Sequence, residues 1–102
     1  RLANMQTDVD VARLLARDLA EAIDAGRDCA RLAAQAKLVS TETLKRVTEQ
    51  GMQIMASAGY ASESDMNRYW RDARLYSFGE GSSEILLDLI AADMGLGRGI
   101  SL

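Results

Sequence analysis

At 102 residues the chain has room for one domain, and 48% hydrophobic with 26% charged residues describes a globular protein with a single core, not a disordered one. It contains no histidine, which removes the usual general base, the commonest zinc ligand and every Ser-His or Cys-His pair; any base must be a carboxylate or an amine, and no metal site is expected. A net charge of −3 lacks the uncompensated basic cluster that nucleic acid requires, and no apolar run reaches the roughly 18 residues of a membrane span, so neither nucleic acid binding nor membrane insertion is expected.

Apolar side chains at Leu2, Met5, Val9, Ala12, Leu15, Leu19 and Ile23 recur in steps of three and four and predict a first helix with one buried stripe. Gly26 supplies a residue that closes a helix in the left-handed conformation. This helix begins at residue 1 with no N-cap before it, as expected of a piece cut from a longer chain.

Asp28 can cap a second helix, whose pattern runs through Leu32, Ala36, Val39, Val47, Ile54 and Ala58 to Gly59. That is about 30 residues and roughly 45 Å if unbroken, with Ser40-Thr41-Glu42-Thr43 and Gly51 as points that could loosen it. The lone Cys29 excludes an internal disulfide, which agrees with the cytoplasm or another reducing compartment.

Gly59-Tyr60-Ala61-Ser62 reads as a turn, after which Ser64 can cap a shorter helix that carries Met66, Tyr69, Trp70 and Ala73 toward the core. Ser77 to Gly81 breaks the periodicity. Ser82 or Ser83 restarts it with Glu84 in the first turn, and Leu86, Leu89, Ile90 and Met94 form the buried stripe before Gly95 stops the helix. No segment alternates with period two, and proline is absent. The expectation is an all-α fold, an antiparallel up-and-down bundle of about four helices over residues 1–94, followed by a flexible glycine-rich tail over 95–102.

Read without any relative, Glu80 between Gly79 and Gly81 is a solvated loop or helix-start charge. Arg68, Arg71 and Arg74 pair with Asp65, Asp72 or neighbouring helices in preference to a phosphate. Tyr69 and Trp70 are core anchors, and the five methionines fill core gaps. A helical bundle alone implies no function.

Three segments in order change that reading. Arg68-Tyr69-Trp70-Arg71-Asp72-Ala73-Arg74 followed by Phe78-Gly79-Glu80-Gly81-Ser82-Ser83-Glu84-Ile85 is the most specific. Gln53-Ile54-Met55-Ala56-Ser57-Ala58-Gly59-Tyr60 is the second, and Ala36-Lys37-Leu38 stands at a matching distance before that glutamine. Together, and without gaps from residue 1 to about 94, they resemble the C-terminal helical domain of the acyl-CoA dehydrogenase family.

The resemblance implies a flavoprotein in which an N-terminal helical domain and a central β domain, both outside this chain, join the bundle to enclose FAD and an acyl-CoA thioester. It places Glu80 as the catalytic base that removes the α-proton while the β-hydrogen leaves as hydride. Its flanking glycines suit close approach to a substrate carbon, and exclusion of water should raise its pKa. Glu80 and Gly81 are then the substrate contacts, with the Glu80 backbone N–H in the oxyanion site. Ser82 and Glu84 fall near the flavin, and Gln53, Ala56 and Ser57 meet the adenine end of FAD across a dimer interface. The implied partners are an acyl-CoA, an electron-acceptor flavoprotein and further copies of the chain.

Two departures stand out. Ala56-Ser57 replaces a Gly-Gly pair, which narrows backbone approach to the cofactor, and Gly79 replaces a tyrosine. They keep open a non-catalytic helical dimerisation or interaction module, or another flavoprotein of the superfamily with oxidase or hydroxylase chemistry. In the dehydrogenase reading the isolated chain is inactive, because most flavin contacts belong to absent segments.

Overall fold

The structure is a computed structural model, and it describes residues 1–77 and 83–96. These form five helices, α1 (Leu2–Asp24), α2 (Ala30–Met55), α3 (Ser57–Tyr60), α4 (Asp65–Ser77) and α5 (Ser83–Asp93), with no strand among the described residues. The all-α expectation holds; the addition is α3, a single helical turn set off by a break at Ala56 from the second helix, which was expected to run on to Gly59.

Helix ends follow local chemistry. Gly26, at φ +69, closes α1 while the N–H of Arg27 donates to the Ala22 carbonyl. Cys29 takes the N-cap position of α2, and the Asp28 carboxylate accepts the N–H of Ala30 at 3.2 Å. Ser64 accepts the N–H of Met66 at 3.2 Å to start α4, and Gly95 at φ +87 follows the last turn of α5. Both suspected weak points of α2 remain helical. The Thr41 hydroxyl donates back to the Lys37 and Leu38 carbonyls, and Thr48 does the same to Leu44 and Lys45, so neither competes for an outside partner. The helix ends four residues before Gly59, because Ala56 adopts φ +50 and ψ −132.

α2 is the axis of the molecule: α1, α4 and α5 each pack on it and hardly on one another. Its buried positions show why. Ala34, Thr41, Thr48 and Met52 share one face, Ala36 and Thr43 lie on the opposite one, and Gly51 lies between the two. Six of the seven are small, so partners approach closely from two sides.

Three polar anchors also lie along α2. Arg31 pairs with Asp93 at 2.6 Å, Glu42 accepts the Ser83 hydroxyl at 2.7 Å, and Glu49 accepts from Trp70 at 3.0 Å and Arg74 at 2.6 Å. At about 100° per residue their spacings of eleven and seven return to nearly the same azimuth. The eleven residues from Arg31 to Glu42 match the ten from Ser83 to Asp93, so α5 lies antiparallel along the first half of α2. α4 occupies the second half, with Met66 beside Gly51. α4 and α5 therefore lie in tandem on α2, and α1 is held separately through Arg46 and Asp8 at 3.3 Å.

The buried stripes are narrower than the sequence pattern suggests. Leu2, Ile23, Ile54, Ala58, Tyr69, Leu89 and Met94 were expected to face the core and are exposed. Each outer helix packs mainly on α2, with α4 also meeting the short α3, so one row of its apolar face is covered. Ala22 replaces Ile23 in α1, Ala73 is fully buried while Tyr69 is 49% exposed in α4, and Leu86 alone is buried in α5. The break at Ala56 rotates Ala58 out of the α2 stripe.

Candidate functional site

The expected base Glu80, with Gly81 and Ser82, lies outside the described residues, as does the tail from 97 onward. The structure describes what flanks Glu80 in sequence: Arg74 and Trp70 near the end of α4, and Ser83 at the start of α5.

On the α4 side Glu49 is the focus. One carboxylate oxygen accepts both Trp70 Nε1–H and an Arg74 N–H, and the Arg74 guanidinium lies 4.0 Å over the Trp70 ring. Arg74 also donates to the Trp70 carbonyl, and Tyr60 of α3 approaches the indole at 6.4 Å between ring centres. Arg68 pairs with Asp65 at 3.6 Å, and Arg71 donates to Asn67 at 2.8 Å. All three arginines of the motif thus have structural partners, Arg68 and Arg74 of the kind their local reading anticipated and Arg71 with Asn67 of its own helix in place of an acid. Trp70 is half-buried and tied by its N–H, a surface anchor and not a core plug.

On the α5 side Glu42 accepts the Ser83 hydroxyl at 2.7 Å and the Lys45 ammonium at 3.0 Å. The Ser83 hydroxyl first, then Lys45, hold its carboxyl below the usual carboxylate value, against a smaller opposing effect of burial. Ser83 spends its hydroxyl on this bond to another helix. Glu84 follows in the first turn of α5 and is exposed, where a carboxylate also meets the positive end of the helix dipole.

Gln53, Ala56 and Ser57 gather at the α2–α3 junction, and all are exposed. Gln53 lies eleven residues beyond Glu42, about 16 Å along the helix, so this group and the α5 terminus are separate places on the chain. The residues present fit a cofactor contact: an exposed amide, an exposed hydroxyl and a kinked backbone at Ala56. None of the described site residues lines the apolar groove of ≈ 550 Å³ between α1, α2 and α4, which is formed by residues including Met5, Leu44, Val47, Met66 and Tyr76.

Sequence reasoning missed Glu42 and Glu49. Their seven-residue spacing, with Arg31 eleven before, was the available signal, since it puts all three on one edge of a long helix. Nothing local marks that edge as the one α4 and α5 would meet.

The sequence profile of the acyl-CoA dehydrogenase C-terminal domain matches residues 1–95. Benzylmalonyl-CoA dehydrogenase of Aromatoleum aromaticum is 38% identical over 94 residues, 92% of this chain and 25% of the relative. 3-Sulfinopropanoyl-CoA desulfinase of Variovorax paradoxus is 36% identical over 92 residues, 90% of this chain and 23% of the relative. A crystal structure described as an acyl-CoA dehydrogenase from Mycobacterium smegmatis superposes with a TM-score of 0.91 at 34% identity, covering 95% of this chain and 26% of that one. The chain thus spans about a quarter of the length of these relatives. With the helices, their order and the motif spacing all in agreement, it belongs to the acyl-CoA dehydrogenase C-terminal domain family.

Proposed function

We propose that this chain is the C-terminal helical part of an FAD-dependent acyl-CoA dehydrogenase, with Glu80 as the base that takes the α-proton of an acyl-CoA thioester. The observation that supports the reading is the family match over residues 1–95, taken with a sequence in which Glu80 stands between two glycines three residues ahead of Ser83. A carboxylate is the one common general base left to a chain without histidine, lysine aside. Gly81 and the Glu80 backbone contact the thioester, where an N–H stabilises charge developing on the carbonyl oxygen. Gln53, Ala56 and Ser57 bind one region of FAD and Ser82 and Glu84 another. FAD, when bound, supplies the acceptor for the β-hydrogen; the chain's own residues hold substrate, move the proton and exclude water. The exposed junction at Gln53 to Ser57 is completed by a second copy, so the working form is a homo-oligomer, reoxidised by an electron-acceptor flavoprotein in a reducing compartment. The isolated chain is inactive.

The test is Glu80→Gln in the full-length protein, assayed with acyl-CoA and an artificial electron acceptor. Turnover should fall by about 10²- to 10⁴-fold while the yellow flavin colour is retained. Unchanged turnover would reject the role of Glu80. A second reading keeps the scaffold and changes the chemistry: the relative from Variovorax paradoxus is named a desulfinase, and no dehydrogenation appears in that name. Hydrolytic release of sulfite from a sulfinoacyl-CoA, with water supplying the oxygen and the proton and with no reduction of the acceptor, would favour it.

A further inference from the structure

The bond between Glu42 and Ser83 joins the middle of α2 to the first residue of α5, three residues after Glu80 in sequence. From this the geometry assigns Glu42 as a positioning residue for the reaction: it fixes the start of α5, and with it the C-terminal flank of the segment that carries the base. The assignment rests on the reading of Glu80 given above.

Four observations support it. The Ser83–Glu42 bond is short and connects residues 41 apart in sequence, so it constrains how two helices dock and not how one helix folds. Lys45, one turn further along α2, holds the carboxylate at 3.0 Å and so fixes its rotamer. Arg31 and Asp93 tie the far end of the same helix to the same edge of α2, so α5 is pinned at both ends. The α4 flank is pinned independently by Glu49 through Trp70 and Arg74. A base carried between two helices keeps its aim only if both are fixed to a common frame, and α2 is that frame. Removing one tie lets the base drift, and a displacement of about 1 Å can cost about 10²-fold in rate.

The experiment uses the full-length flavoprotein. Glu42→Ala should lower kcat about 10- to 100-fold with KM for acyl-CoA and flavin absorbance largely unchanged, while the thermal midpoint falls only slightly and the protein stays folded at the assay temperature. Glu42→Gln, which keeps an acceptor for the Ser83 hydroxyl, should recover most of the lost rate. Ser83→Ala deletes the same bond by one atom and decides the matter if Glu42→Ala fails to fold. The double variant Glu42→Ala/Ser83→Ala should be no slower than the slower single variant, because both act through one contact. The assignment falls if the single variants keep wild-type kcat while Glu80→Gln abolishes turnover. It falls equally if the rate lost tracks lost flavin, or if the two substitutions multiply. Should Glu80→Gln itself keep full turnover, the reading of the base fails first and this assignment goes with it.

Discussion

Ala56 sits at φ +50 and ψ −132, where the methyl group crowds the backbone and glycine is the usual occupant. It stands where the family pattern has a glycine pair, so the substitution noted in the sequence coincides with a strained junction. Ala56→Gly should relieve about 1–3 kcal/mol of strain and return part of it through a more flexible unfolded chain. The net expectation is a gain of about 1 kcal/mol, measured as a higher midpoint in urea. Glu42 gives a prediction of opposite character. Its folded carboxyl is held below the ordinary 4.5, so it stabilises the fold fully above that value and the contribution is lost as pH falls through the lowered folded value. The midpoint difference between wild type and Glu42→Gln should therefore be constant near neutrality and shrink under acid; a difference that grew on acidification would contradict the bonding described.

The short α3 decides how α4 returns. Gly59 is buried within it, and a Cβ there would stand 3.0 Å from Met52 Sδ and 3.2 Å from Met55 Cβ. Met52 is 2% exposed and Met55 Cβ belongs to the end of α2, so neither can give way easily. Gly59→Ala should destabilise by about 1–3 kcal/mol despite alanine's better helix propensity, visible in thermal unfolding. Glu49 links α2 to α4 from the solvent side. Its partners are partly exposed, so Glu49→Ala should cost only about 1 kcal/mol, with a salt dependence that the variant loses. The loss of Trp70 tethering should appear as a red shift in indole fluorescence.

The outer helices cover α2 on two sides and leave their own outer faces bare. Among the described residues, six hydrophobic side chains are buried while fourteen large ones are exposed, including Leu75, Tyr76, Leu87 and Leu89 near the α4 and α5 edge. That proportion suits one layer of a larger assembly. The isolated chain should self-associate, with a sedimentation coefficient that rises with concentration, and should bind free FAD weakly if at all. A monodisperse monomer, or tight flavin binding, would count against the reading of the chain as a partial unit. No helix among the described residues is long and apolar enough to cross a membrane.

Helix identity, caps and closures were legible in the residues themselves, because they depend on contacts within a few positions: Asp28 and Ser64 at helix starts, Gly26 and Gly95 at helix ends. Motif order also carried the family, since spacing along a chain survives without coordinates. The tertiary structure alone revealed that α2 breaks at Ala56, a residue type with the highest helix propensity, because a backbone held by packing overrides local preference. It alone decided which apolar rows are buried, turning Tyr69 and Leu89 outward, because burial depends on what lies opposite. The edge of Arg31, Glu42 and Glu49 became meaningful for the same reason: periodicity lines residues up, but only docking supplies Asp93, Ser83, Trp70 and Arg74 to meet them.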